Sequence, residues 1–430
     1  MQRCCFLGTN ISMNLLSAFN ARHGLKSEFW ARLLVLGIVV TMTRAWALTN
    51  LFEVLLVCIT FYDASLRKKV LSSFNDVRVS AVFLFWFWVA FSMSWSEAPI
   101  AERLGEFWSW RKLILVPICF ALFEREADKR LLMVTVVAIC SVYMVATWLG
   151  YFNLVELDRV PKHYLENHAT QGVLFGACSL FCILLALQNS NWMSRCLFFL
   201  LVAGFVANIL LISTGRSGYL FLVVISGYSA FFWAKCQFKA TVLPLLAGLG
   251  AVCIILATLF INETTNREIN KAFTDIETAY TSEQLTSLGI RIVMWTNSLA
   301  LIENKPLLGS GAGGYKYDYG ALVAGQDGWR SKVIDDPHQQ YLHIAAEHGL
   351  LGLFFFILAF GGWLFSKVPR TQIFYVAGIS VLLGTAANGF ANGHFSAFVE
   401  GRFFWISVAA FLAGTQSYFP SLKIYDKSQK

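Results

Sequence analysis

Stretches of apolar residues, each close to the roughly 20 residues that cross a bilayer as a helix, alternate with short polar segments along the whole chain. We count about twelve of them, at 30–47, 49–64, 79–96, 110–124, 131–152, 169–188, 195–213, 217–234, 240–261, 349–366, 372–391 and 402–419. The pattern therefore predicts an all-α polytopic membrane protein with about 12 transmembrane helices.

The composition supports this class of protein. Of the 430 residues, 57% are hydrophobic and only 14% are charged, whereas soluble domains carry about a quarter charged residues. The basic residues then orient the spans. If both termini are cytoplasmic, the inside segments hold 19 of the 34 basic residues but only 7 of the 26 acidic ones, as the positive-inside rule requires. The net charge of +8 thus reports topology, and no nucleic-acid partner is implied.

One large hydrophilic segment interrupts the pattern, from Asn262 to Pro337. Together with the helix start that follows, it forms a loop over 262–348 that faces outward, into the periplasm of a Gram-negative cell. Its middle, 287–304, places Ile292, Trp295, Leu299 and Ile302 on one helical face, which predicts an amphipathic helix along the membrane surface or under the bundle. We expect a single membrane domain, 1–430.

The end of this loop carries the most informative residues. Pro337 suits the first position of a helix, Asp336 suits its N-cap, and Gln339 suits a capping box, so His338 is expected in the first helical turn. The positive end of the helix dipole would favour neutral imidazole there, and neutral imidazole can act as a general base on a hydroxyl. A histidine that only hydrogen-bonds the loop is an equally good interpretation.

Two arginines on the outer face are candidates for binding an anion. Arg216 lies in the sequence TGRSG, where the glycines would let a large anionic ligand approach the backbone. The alternative is an interfacial arginine that reaches the lipid headgroups. Arg291 lies on the predicted amphipathic helix, where a structural role is as plausible as a role in a site.

Other polar groups give weaker signals. The glycine-rich turn Gly309–Gly314 could cradle a phosphate, but it lacks the lysine of a P-loop and reads more simply as a turn. The acidic pair before Pro337 reads as a helix cap, and His338 and His348 are too far apart in sequence to share an ion, so we expect no metal and no cofactor. Three further residues, His168, His394 and Glu400, could line a polar cavity for sugars or be ordinary loop residues.

The spacing of these residues resembles a known family. His338-Gln339 is followed, nine residues later, by Gly349-Leu350-Leu351-Gly352, which is similar to the signature of bacterial O-antigen ligases. Upstream, Arg291, Trp295, Pro306 and the turn at Gly309–Gly311 resemble a stretch shared with O-antigen polymerases and protein O-oligosaccharyltransferases, and Arg216 matches that family's other arginine.

The resemblance implies a GT-C-like, metal-independent glycosyltransferase at the periplasmic face of the inner membrane. It would move O-antigen polysaccharide from undecaprenyl diphosphate to a sugar hydroxyl of lipid A–core oligosaccharide, with inversion, among surrounding membrane lipids. His338 would be the base, and Arg216 and Arg291 would hold the departing diphosphate. The residues expected to bind substrate are Trp295, Gly309, Gly311, Gln339, His168, His394 and Glu400. The alternatives are a polymerase or protein O-oligosaccharyltransferase of the same superfamily, or, in a different class, a flippase of lipid-linked oligosaccharides.

Overall fold

The described part of the chain is helical. The computed structural model describes residues 27–155, 165, 167–213, 215–237, 242–261, 287–369 and 372–418, and these contain helices with one isolated antiparallel bridge between Ser366 and Ser417. The predicted all-α class is confirmed for these residues. Most of the hydrophilic stretch that begins the predicted loop, 262–286, lies outside the described residues.

The first half of the chain forms seven α-helices within the described residues. They are α1 Ser27–Thr41, α2 Trp46–Tyr62, α3 Ala64–Ser73, α4 Val77–Ser92, α5 Ile100–Ser109, α6 Leu115–Leu122 and α7 Glu126–Tyr151. Aspartates set two of the starts, because the Asp63 side chain accepts from the amide of Leu66 and Asp76 accepts from that of Arg78. Helices α2 and α3 meet at a bend of 102°.

The second half contributes a further set of helices. They are α8 His168–Gln188, α9 Trp192–Leu211, α10 Arg216–Gln237, α11 Val242–Ile261, α12 Ser287–Asn304, α13 Tyr315–Val323, α14 Gln340–Gly361, α15 Ile373–Asn388 and α16 Phe398–Phe411. Helix α8 is buried along most of its length, and α10 packs against α8, α11 and α15. Helix α14 packs along α4. One large apolar core contains residues of α8, α9, α10, α14, α15 and α16 and of helices from the first half.

Each of the apolar stretches counted in the sequence overlaps a helix or a helix with its adjoining 3₁₀ turn. By length and composition alone, five helices among the described residues could cross a membrane, or six if the bent pair α2–α3 counts as one span. Those five are Glu126–Tyr151, His168–Gln188, Trp192–Leu211, Ser217–Gln237 and Gln340–Phe365. The count of twelve spans and the GT-C-like arrangement remain predictions.

A second, smaller apolar cluster lies where α12, α13 and the start of α14 meet. It contains Met294, Leu301, Tyr315, Tyr319, Val323, Ile334 and Ala346. The predicted helix over 287–304 is confirmed as α12. The buried side of α12 carries Met294, Ser298 and Leu301, and Leu299 is half exposed. Tyr315 and Tyr319 of α13 lie against this buried side.

Helix α14 is broken at Gly349, where φ is +72° and ψ is 176°. A Cβ at this position would lie 2.0 Å from the carbonyl oxygen of Leu307, so both the backbone angles and the contact require glycine. After the break, the amide of Leu350 donates to the carbonyl of Pro306. The break therefore locks the segment after α12 against α14 and separates a short polar helix from an apolar one.

Candidate functional site

His338 lies just before α14 rather than in its first turn. The helix begins at Gln340, and the side chain of Gln339 is its N-cap, accepting from the amide of Leu342 at 2.6 Å. The predicted helix start at Pro337 was therefore wrong. Asp336 instead closes a turn by accepting from the amide of His338 at 2.7 Å, and His338 adopts a left-handed backbone with φ +55°. His338 therefore lies outside the first helical turn, the position from which its neutral form was predicted.

The imidazole of His338 is exposed and faces the turn between α15 and α16. Its Nδ1 lies 3.3 Å from Oδ1 of Asn392. The preceding segment is fixed by α12, because the indole nitrogen of Trp295 donates to the carbonyl of Pro337 at 3.0 Å. Trp295, expected to bind substrate, thus also holds the chain that carries His338.

Arg291 reaches the same turn from α12. Its Nη1 donates to the carbonyl of Ala391 at 2.8 Å, one residue before the partner of His338. The guanidinium also lies within electrostatic range of His168, the first residue of α8. The structure thus brings together three of the residues that the sequence suggested, from α8, α12 and the start of α14.

The glycine-flanked turn before α10 completes this end of the molecule. Arg216 is the first residue of α10, and its side chain lies outside the described atoms. The expectation that Gly215 and Gly218 leave room for a ligand was wrong. A Cβ at Gly215 would lie 2.6 Å from the His168 ring, and one at Gly218 would lie 3.0 Å from Gly172, because α8 packs against the turn. Gly215 and Gly218 therefore permit helix packing beside Arg216.

The glycine-rich turn Gly309–Gly314 uses its amides within the protein. The amide of Ser310 donates to the carbonyl of Ala346 at 3.0 Å, and that of Gly311 donates to the carbonyl of Glu347 at 2.7 Å. The amide of Gly313 donates to the Glu347 carboxylate. Gly309 and Gly311 are buried, so their described role is to dock the loop on α14. Their binding of substrate remains a prediction.

His394 and Glu400 form a buried pair near the start of α16. Nδ1 of His394 lies 3.5 Å from Oε1 of Glu400, and the same oxygen accepts from Thr170 of α8 at 2.7 Å. Both side chains are almost fully buried. This arrangement ties α16 to α8 behind the outer surface, and the lining of a sugar cavity by these residues is untested.

Three groups could together hold a metal ion. Ligand atoms of Glu106 on α5 and of Glu347 and His348 on α14 all lie within 4.8 Å of one another. The carboxylates already have donors, since Trp110 donates to Glu106 at 2.7 Å and His343 lies 3.0 Å from Glu347. We therefore assign these residues a structural role in joining α5, the glycine-rich turn and α14.

The pKa of the Glu106 carboxyl reflects these neighbours. Burial alone would raise it, yet hydrogen bonding and the charge of His348, the charge of His343 and the indole of Trp110 lower it from 4.5 to about 2. Glu106 is therefore ionised at neutral pH. On α13, burial raises the pKa of the Tyr315 hydroxyl, so that hydroxyl is neutral.

Sequence reasoning missed Ala391 and Asn392. The carbonyl of Ala391 and the side chain of Asn392 join Arg291 to His338, although these residues are far apart along the chain. The only local signal is the dipeptide Asn392-Gly393, which is typical of a tight turn between two apolar stretches.

Part of the chain is similar in sequence to known proteins. Residues 197–357 match a family model described as O-antigen ligase, and this segment contains Arg216, Arg291 and His338. The match covers less than half of the chain and supports an O-antigen ligase-type family assignment for that segment. An uncharacterized protein of Haemophilus influenzae is 26% identical over 326 residues, which cover 73% of this chain and 76% of that protein. The match supports the predicted family, and together with the long apolar helices it supports a multi-pass membrane protein.

Proposed function

We propose that this protein is an O-antigen ligase. It transfers O-antigen polysaccharide from undecaprenyl diphosphate to a sugar hydroxyl of lipid A–core oligosaccharide. The observation that carries the proposal is that Arg291 and His338, both inside the segment that matches the family, contact adjacent residues of one turn, Ala391 and Asn392, which follows that segment. The protein is a single membrane domain, 1–430, of the Gram-negative inner membrane. Both termini are cytoplasmic, and the loop 262–348 and the site are periplasmic.

His338 is the general base in this proposal. The acceptor hydroxyl attacks the anomeric carbon of the donor, the bond from that carbon to the diphosphate oxygen breaks, and the hydroxyl proton passes to the imidazole. The exposed position of His338 before α14 supports access for a bulky sugar acceptor. Attack opposite the departing group inverts the anomeric centre.

The departing undecaprenyl diphosphate needs positive charge. Arg291 and Arg216 supply it in this proposal, since a guanidinium stays charged and can bind two phosphate oxygens at once. Both arginines lie near His168, because the guanidinium of Arg291 is within electrostatic range of it and Gly215, next to Arg216, packs against its ring. Charge stabilisation then comes from protein side chains, and the reaction is metal-independent.

The test is transfer in vitro with the purified full chain, undecaprenyl-diphosphate-linked glycan and lipid A–core, with and without a chelator. We expect a product in which the glycan is attached to lipid A–core, formed at the same rate in both conditions. Lengthening of the lipid-linked glycan while lipid A–core is ignored would replace the ligase with a polymerase. Movement of the lipid-linked glycan across vesicles without transfer would replace it with a flippase. Loss of transfer with chelator would contradict the metal-independent reaction.

A further inference from the structure

The turn between α15 and α16, residues 389–397, is fixed to the start of α14 on both sides. The amide of Gln340 donates to the carbonyl of Gly389 at 2.8 Å, and its side-chain oxygen accepts from the amide of Phe395 at 3.1 Å. Gln340 is fully buried. The other end of the turn is held by Lys112, whose Nζ donates to the carbonyl of Ala397 at 2.8 Å. The turn is therefore a rigid support beside His338.

Within this support, Asn392 has a defined position. Its amide donates to the carbonyl of Asn388 at 3.0 Å, which continues the last turn of α15. Its side-chain Oδ1 lies 3.3 Å from Nδ1 of His338. Because the neighbouring Ala391 holds Arg291, a single turn sets the positions of both groups that the proposed reaction uses.

The backbone of His338 is restrained as well. Asp336 accepts from its amide, and Trp295 holds the preceding carbonyl. With the backbone held, rotation of the imidazole is the main freedom that remains. The contact of Nδ1 with Asn392 limits this rotation, and Nε2 has no partner among the described residues.

We propose that Asn392 is a positioning residue that selects the tautomer of His338 in which Nδ1 carries the hydrogen and Nε2 carries the lone pair. A carboxamide oxygen only accepts hydrogen bonds, so an Nδ1–H group must donate to it. Nε2, on the opposite side of the ring, is then the atom that removes the proton from the acceptor hydroxyl. This inference rests on the proposed function, because it assigns a role in that transfer.

The opposite orientation of the Asn392 amide makes the opposite prediction. If its NH₂ group donated to Nδ1, the hydrogen would reside on Nε2, and this nitrogen could not act as a base. Replacement of Asn392 by aspartate distinguishes the two orientations, because an ionised carboxylate can only accept a hydrogen bond and so requires hydrogen on Nδ1. Charged and titratable groups near this turn among the described residues include Asp336, which accepts from the His338 amide, Arg291, which donates to the Ala391 carbonyl, and His168, which lies within electrostatic range of Arg291.

The experiment compares Asn392→Ala and Asn392→Asp in the full chain, with kcat and KM for lipid A–core transfer measured across pH. We expect Asn392→Ala to lower kcat roughly 10- to 100-fold with KM within about twofold, because the base loses its orientation. We expect Asn392→Asp to regain most of kcat. Its acidic limb should move to higher pH, because a nearby carboxylate favours the imidazolium form, which cannot accept a proton.

Two controls make the outcomes decisive. Asn191→Ala removes another asparagine, the N-cap of α9, and should leave kcat unchanged. His338→Ala tests the proposed function itself: if this variant keeps full activity, the ligase mechanism fails, whereas if it is inactive while Asn392→Ala is normal, only the positioning role fails. Equal loss in the alanine and aspartate variants, with no shift of the acidic limb in the latter, would also overturn the positioning role.

The wild-type protein offers a readout that needs no substitution at Asn392. In protein labelled with ¹⁵N-histidine, the His338 signals are assigned as those lost in His338→Gln. We expect a protonated Nδ1 and an unprotonated Nε2 at alkaline pH, and the reverse pattern would contradict the proposal.

Discussion

Two arginines at opposite ends of the helices show how this protein uses positive charge. Arg78, at the start of α4, is fully buried, and its five N–H groups donate to Asp76, Ser366 and Thr415. Its guanidinium also lies over the ring of Trp363 at 5.2 Å. Arg78 thus joins the start of α4 to the ends of α14 and α16, and it has no capacity for a ligand.

The cluster around His338 is built differently. Arg291 is only partly buried and donates to a backbone carbonyl of an outer turn, while His338 is exposed and has a left-handed backbone. The residues come from turns and helix starts rather than from helix interiors. Arg78 is thus a structural residue inside the protein, whereas Arg291 and the exposed His338, which contact one turn between α15 and α16, are the candidates for chemistry.

The largest effect should follow from removing Arg78. Arg78→Met leaves Asp76 without its partner, and loss of one member of a buried ion pair costs about 3–5 kcal/mol. We expect a lower apparent free energy of unfolding in detergent with kcat per folded molecule within about twofold of wild type. Denaturation and transfer assays on the same preparation measure both. If Arg78→Met were as stable as wild type but inactive in transfer, the structural role of Arg78 would be contradicted.

Removing Arg291 should lower the transfer rate and leave the stability of the fold almost unchanged. Arg291→Ala should lower kcat by about 10²- to 10³-fold, because a positioned positive charge at the departing diphosphate is lost, while thermal stability changes little. Arg291→Lys should recover only part of the rate, since lysine cannot make the planar paired contact. Normal rates in both variants would remove Arg291 from the proposed site.

Gly349 tests whether the break in α14 is needed. Gly349→Ala must adopt backbone angles that are essentially restricted to glycine and places a methyl group against Leu307, so we expect a loss of about 1–3 kcal/mol from backbone strain alone, with the steric contact adding to it. Gly105→Ala on α5, where a Cβ meets nothing within 4 Å, is the matched control and should be neutral or slightly stabilising. Equal melting temperatures for the two variants would contradict this role.

The smallest effect concerns Glu106. Its lowered pKa means that its ionised form stabilises the fold above the ordinary value of 4.5, and that this contribution is lost as the pH falls toward about 2. Glu106→Gln should therefore melt below wild type at pH 7, and the difference should shrink below about pH 4.5. A difference that does not depend on pH would show that Glu106 acts through packing alone.

The helices were the more predictable part. Apolar stretches of membrane length overlap helices throughout the described residues, and α12 has the predicted bounds, Ser287–Asn304. Such elements depend on local periodicity and composition, which the sequence displays directly. The start of α14 was mispredicted because Asp336 is a favoured N-cap residue and Gln339, which caps the helix in the structure, is not.

The candidate site was less predictable. The pairing of Arg291 with His338 depends on Ala391 and Asn392, which follow a different helix, and no local pattern reports such a contact. The sequence left open whether the glycines beside Arg216 serve a ligand, and it did not reveal that α8 packs against them. The contacts of Arg291 and His338 with this turn thus depend on long-range packing of helices, which the local sequence does not report.

The most direct test of the central claim is the rate of glycan transfer to lipid A–core by well-folded His338→Ala protein, compared with wild type. If His338 is the general base, the rate should fall by about 10²- to 10⁴-fold while the melting temperature stays within a few degrees. Transfer at the wild-type rate by the folded His338→Ala variant would contradict the account.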